Sequence, residues 1–193
     1  MKYLLIFLSA ILLMPSACKQ KKIENNEKFF PVLSFIRSQV VSVDTSLYSI
    51  KKIVYTDSLH SDTEYIKREA FRVLAKDFLD IPDIADKKSS SRFVEERSFD
   101  ETFNRVILSY KPIDPDKEEL QKQEVLITPD VATGDKVTSI IIEKVISDSN
   151  GFLQKNMLWQ VDQSFLVTTT RQKPGQPETI TTLKVTWNER DNE

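Results

Sequence analysis

The sequence predicts an α+β fold: two N-terminal helices packed on a six- to seven-stranded antiparallel meander that is able to curl into a half-barrel. Three observations predict it. Apolar residues recur at helical spacing through residues 33–54, they alternate with a period of two from Arg92 onward, and all three glycines fall in short turn-like segments between the alternating runs.

In the segment FFPVLSFIRSQVVSVDTSLYSIKKIVYT, residues Leu33, Ile36, Val40, Val43, Leu47, Ile50 and Val54 are spaced alternately three and four apart. That is one apolar stripe of a helix. Pro31 suits the first turn, where its missing N–H costs nothing. The expected helix therefore runs from about Pro31 to Tyr55. The β-branched run VVSVDTS lowers its propensity, and a strand over Ile50 to Thr56 is the competing assignment.

TDSLHSD reads as a turn, after which Ser61 or Asp62 is placed to cap a second helix. Its stripe carries Ile66, Ala70, Val73, Leu74, Asp77 and Phe78, and Pro82 stops it. From residue 92 the alternation begins. SFDETFNRVILSYKP and QKQEVLITPD flank the acidic loop IDPDKEEL; KVTSIIIEKVISD and FLQKNMLWQVD flank SNG; FLVTTTRQK and TITTLKVTWNE flank PGQP. Residues 92–98 supply a seventh strand.

Alternation assigns faces. Met157, Trp159 and Val161 share one, as do Leu183, Val185 and Trp187; Thr168, Thr170, Lys184 and Thr186 belong to the wetter side. Two amphipathic helices are available to cover the apolar face. Trp159, Met157 and Trp187 are then either core or the lining of a ligand cavity beneath the helices.

Little in the chain suggests catalysis. His60, the single histidine, is expected in a turn near Asp57 and Asp62, and one imidazole excludes a multi-histidine metal site. Glu95, Glu96, Asp100 and Glu101 cluster, but Glu95 and Glu96 fall on opposite strand faces with Arg92, Arg97 and Arg105 close by, so ion pairing is expected rather than glycoside chemistry. The loop holding Asp114, Asp116, Glu118 and Glu119 lacks the glycine that a calcium loop needs, and DVATGDK offers only Asp130 and Asp135. No metal, no cofactor and no catalytic residue is expected.

The chain begins with Lys2, an apolar stretch from Tyr3 to Met14, and the small residues Ser16 and Ala17 before Cys18, its only cysteine. The apolar run is too short to span a bilayer and has the order of a signal peptide. Removing residues 1–17 takes away only Lys2 of the 27 basic side chains and none of the 29 acidic ones, so the net charge moves from −2 to −3. Nothing basic points to nucleic acid. The expected organisation is a signal peptide over 1–17, Cys18 with a polar tether over 18–28, and a single domain over 29–193.

Ser16, Ala17 and Cys18 resemble the lipobox of bacterial lipoproteins, with Pro15 where an aliphatic residue is usual. The resemblance implies cleavage before Cys18 and acylation of that residue, with chains such as palmitate anchoring the protein to a membrane. Lys19 stands where an aspartate would signal inner-membrane retention, and KQKK lacks the acidic residues tied to surface export. The implied address is the outer membrane, facing the periplasm. The segments FFPVLSFIRSQVVSVDTSLYSIKKIV, NMLWQVDQSF and TRQKPGQPETITTLKV resemble uncharacterised small lipoproteins of Bacteroidota, a resemblance that implies no activity. The expected function is a non-catalytic lipoprotein that binds an apolar ligand or an envelope protein. The alternatives are a structural envelope protein that self-assembles through strand edges and, less favoured, a hydrolase using carboxylates near Glu95 to Glu101.

Overall fold

The computed structural model describes residues 29–56 and 60–188. The expected signal peptide, Cys18 and the expected tether lie outside these residues. Nine strands make one antiparallel sheet: β1 Ile50–Tyr55, β2 Ser61–Ile66, β3 Phe93–Asp100, β4 Arg105–Pro112, β5 Leu120–Thr128, β6 Lys136–Asp148, β7 Gly151–Gln160, β8 Ser164–Gln172 and β9 Thr179–Thr186. Their order is β2-β1-β9-β8-β7-β6-β5-β4-β3. β3 to β9 form an uninterrupted meander, and the β1–β2 hairpin extends it beyond β9. The sheet is open, not closed into a barrel. The helices are α1 Val32–Thr45, α2 Arg68–Leu74, α3 Lys76–Leu79 and α4 Lys87–Ser90.

The fold is α+β, but its N-terminal part departs from the sequence expectation. The first helix does not reach Tyr55; it stops at Thr45, and Ile50 begins β1. Local polar groups end it. Thr45 Oγ1 bonds back to the carbonyls of Val41 and Ser42 at 3.1 and 3.2 Å, and Ser46 closes on the Val43 carbonyl through both its hydroxyl and its N–H. Leu47, which the helical spacing placed on the buried stripe, is 97% exposed. Beyond it, β-branched Ile50, Ile53 and Val54 gain more from lying in a sheet. Ser61 and Asp62 likewise open β2 rather than capping a helix, and α2 begins only at Arg68. The two strands read as helix account for a sheet of nine instead of six or seven.

The core lies between the helices and one face of the sheet. α1 contributes Val32, Leu33, Ile36, Val40 and Val43; the α2–α3 segment contributes Phe71, Ala75 and Phe78. Against them stands a cross-strand row fixed by the register, Leu108–Val125–Ile140–Trp159–Phe165–Val185. Full burial of one such aliphatic or aromatic side chain contributes roughly 1.5–3 kcal/mol. An ion pair at 2.5 Å between Asp77 and Lys155 pins the helical layer to β7.

The β6–β7 turn depends on a glycine. Gly151 pairs with Asp148 at φ +134°, and a Cβ there would lie 2.3 Å from the Gln172 carbonyl oxygen. Gly151→Ala is expected to cost about 1–3 kcal/mol from backbone strain, seen as a lowered urea midpoint. Gly175→Ala is the comparison, because its φ of +70° carries backbone strain too but its Cβ would meet nothing within 4 Å. Equal losses at the two positions would show that the contact with β8 is unimportant.

Candidate functional site

Met157, Trp159 and Trp187 come together on the helix-facing side of the sheet, where alternation put them. Met157 and Trp159 are inaccessible and Trp187 nearly so. The Trp159 ring lies nearly parallel to Phe165 at 5.5 Å, edge-on to Phe78 at 5.2 Å, and 5.3 Å from Trp187. Phe71 meets Trp187 edge-on at 5.1 Å. Such ring pairs attract through their quadrupoles and fill space efficiently. Aromatic side chains from the helices thus occupy the volume where an apolar ligand would sit. Two polar groups are trapped in this core without a hydrogen-bond partner: the Trp159 Nε1–H and both ends of the Gln123 amide.

Tyr110, next to this core on β4, ties down the start of the domain. Its ring lies 5.0 Å from Phe29, and its hydroxyl accepts a hydrogen bond from the Phe30 N–H at 3.1 Å. Burial pushes its phenol up to about 12; the Phe30 N–H opposes this and Glu95 adds to it. The folded value exceeds the unfolded one of about 10. This stability is therefore complete below pH 10 and lost as the pH rises through 12. An alkaline absorbance titration is expected to show one tyrosine ionising last, together with unfolding. Tyr110→Phe should remove that step and cost about 1 kcal/mol for the lost hydrogen bond. Ionisation of every tyrosine near pH 10 would contradict this assignment.

The candidate catalytic carboxylates are dispersed. Glu95 pairs with Arg97 at 2.5 Å, Glu96 with Lys111 at 2.8 Å on the opposite face, and Asp100 with Arg105 at 3.3 Å. Asp100 also accepts the N–H groups of Thr102 and Phe103 in the β3–β4 turn. In the acidic loop Asp114 pairs with Lys117, Glu118 with Arg92 and Glu119 with Lys144. Asp130 organises the β5–β6 connection by accepting the Ala132 and Thr133 N–H groups and the Thr133 hydroxyl. Those bonds, the hydroxyl's first, hold its carboxyl down at about 2. His60 sits at the β1–β2 hairpin rather than between helices, and its carbonyl accepts the Thr56 N–H at 3.3 Å. Among the described residues, no three of His, Cys, Asp and Glu converge in a way that could hold a metal ion.

A surface depression of about 620 Å³ lies beside the acidic loop, lined by Lys111, Asp116, Glu118, Lys122 and Glu143. Its charges are of both signs and largely engaged with neighbours: Glu118 with Arg92, Lys122 with Glu124, and Glu143 with the Gln154 amide.

The face of the sheet away from the helices has a feature that simple alternation did not single out. The adjacent strands β6, β7 and β8 each carry an apolar triplet, Ile140-Ile141-Ile142, Met157-Leu158-Trp159 and Phe165-Leu166-Val167. The outer residues of each triplet point into the core. The register sets the middle ones side by side, Ile141 opposite Leu158 and Leu158 opposite Leu166. Lys184 continues the row and Ile53 follows it. All four apolar side chains are half-buried, with Glu124 and Lys184 in the same row. The signal was present in the sequence: a strand covered on one side only should not need three consecutive apolar residues.

Comparison of the chain with protein-family models, curated proteins and solved structures gives no match.

Proposed function

We propose that the chain is a non-catalytic lipoprotein of the bacterial envelope, held in the outer membrane by acyl chains on Cys18 and facing the periplasm, and that it binds an envelope protein. The observation that carries the binding mode is the in-register row Ile141–Leu158–Leu166 on the helix-free face, continued by Ile53. The helix-facing side is filled by Phe71, Phe78, Trp159, Phe165 and Trp187, which favours a protein on the open face over an apolar ligand under the helices. Apolar side chains set among charges are the usual composition of a docking patch. Residues 19–28 separate Cys18 from Phe29, a reach of at most roughly 35 Å when extended. That length keeps the domain near the membrane while letting its open face turn towards a partner.

The test is a photo-crosslinking amino acid at position 158 of the full-length chain in its native cells. A discrete protein adduct is expected, absent when the crosslinker is moved to exposed Val41 on α1, and reduced about tenfold by Leu166→Asp, since desolvating an unpaired charge at the patch costs well over 1 kcal/mol. Adducts equal at 158 and 41, or unchanged by Leu166→Asp, would refute the docking face. A small molecule retained by the purified chain in native mass spectrometry and released on denaturation would instead support ligand binding.

A further inference from the structure

We propose that the chain forms a two-fold dimer in which β3 of one copy pairs antiparallel with β3 of a second copy. β3 ends the sheet, and among the described residues no strand lies on its far side. An edge strand presents a row of unpaired backbone N–H and C=O groups, and proteins ordinarily blunt such edges with proline, charged side chains (lysine above all) or a bulge. The charges at the middle of β3, Glu95, Glu96 and Arg97, repel any partner strand that does not match them. FVEERSFD contains no proline or lysine, pairs with β4 without a register shift, and exposes Val94 and Phe99 by 45% and 54%.

Register selects the occupant. Residues directly opposite each other in an antiparallel sheet share a face, so a residue of β3 can stand opposite itself or one an even number of places away. Centring the pair on Glu95 sets Glu95 against itself, and centring it on Arg97 sets Arg97 against itself. Both oppose like charges, which destabilises pairing, and neither sets any opposite charges against each other across the junction. Centring on Glu96 sets Glu95 opposite the second copy's Arg97 and, by symmetry, Arg97 opposite the second copy's Glu95. The same register sets Val94 opposite Ser98 and Phe93 opposite Phe99. Glu96 then faces its own copy, a like-charge contact as in the other two registers, with Lys111 2.8 Å from each Glu96; only this register sets two opposite-charge contacts beside it.

Within one chain Glu95 and Arg97 are paired at 2.5 Å on the helix-facing side, and Arg97 is 71% exposed there. The dimer therefore closes a ring of four alternating charges across the junction. The opposite edge offers no such match. Centring two copies of β2 on Thr63 sets Asp62 against Glu64, and centring them on Glu64 sets that residue against itself. A β3–β3 contact uses one patch twice and closes, leaving the two β2 edges at the far ends. This inference does not depend on lipid anchoring or on the docking face.

The experiment uses variants of the full-length chain that each add one cysteine, purified in mild non-ionic detergent and oxidised briefly, with wild type as the control for cross-linking through Cys18. Glu96→Cys is expected to give a disulfide-linked dimer. Val94→Cys and Ser98→Cys should each stay monomeric alone and cross-link when mixed. In a Glu96→Cys background, Arg97→Glu should lower the dimer yield roughly tenfold, and adding Glu95→Arg should restore it, because the swapped pair is again complementary. Recovery by the second substitution shows that the first did not merely unfold the chain. Failure of Glu96→Cys to cross-link, equal cross-linking of Val94→Cys alone, or no response to the charge swap would each overturn the proposal.

Discussion

Trp159→Ala is expected to lower the stability of the domain by about 3–5 kcal/mol, a large part of the 5–15 kcal/mol that an ordinary domain possesses. Trp159 is inaccessible, touches Phe78, Phe165 and Trp187 at ring distances between 5.2 and 5.5 Å, and belongs to the row that joins β6 to β8. Truncation removes contacts with both the helical layer and the sheet, and two rings cannot collapse into the space from opposite sides without moving their backbones. Urea unfolding should show the loss as a lower midpoint at an unchanged slope. Trp159→Phe makes the finer test. It loses volume, but it also removes an indole N–H that is buried without a hydrogen-bond partner, a group costing roughly 1–3 kcal/mol to desolvate. The Phe variant is therefore expected to lose less than half of what the Ala variant loses. Near-equal losses would mean that the N–H is satisfied in solution, by water for instance.

The meander was readable because each of its strands satisfies several local rules at once. Met157 and Trp159 stand two apart on β7 with polar Asn156 and Gln160 on either side of them, and SNG and PGQP mark turns on either side of β7 and β8. Residues 50–66 were not readable in the same way. Ile50 and Val54 continue a spacing of three and four that began with Leu33, so helix periodicity and strand propensity compete over the same residues. What decides is not in that segment. β1 pairs with β9, more than a hundred residues later, with Val54 opposite Leu183 and Lys52 opposite Val185. Hydrogen bonds supplied by a distant strand override a local pattern, and Thr45 and Ser46 end the helix before the conflict arises. The aromatic residues were placed on the correct face for a similar reason: alternation on β7 and β9 needs no partner to be seen. Whether they bordered a space or filled one required Phe71 and Phe78, whose positions depend on α2 and α3 beginning after β2. The row on the opposite face was legible residue by residue in the triplets around Ile141, Leu158 and Leu166, but its continuity exists only once three strands are in register.

Cys18→Ala is expected to produce an all-or-none change in location with no change in folding. The wild-type chain should incorporate labelled fatty acid and stay with membranes through an alkaline carbonate wash; the variant should carry no label and appear in the soluble fraction. Each buried methylene contributes about 0.8 kcal/mol, so one acyl chain binds reversibly and two or more hold firmly. On the proposed anchoring, replacing Cys18 removes the whole of that energy. Among the described residues no helix is long and apolar enough to cross a membrane, so no helical span there would retain the variant. The folded core begins at Phe29 and Val32, well after position 18, and the unfolding midpoint of the released variant should match that of the wild type. The two readouts separate the competing explanations. A wild-type chain without label would mean that the leader is cut near Ala17 and leaves a free thiol. A variant that loses its label but stays on the membrane would mean that its leader is still attached, which its mass reveals, or, if the leader is gone, that the domain itself binds there, and the row around Leu158 would become the first surface to substitute.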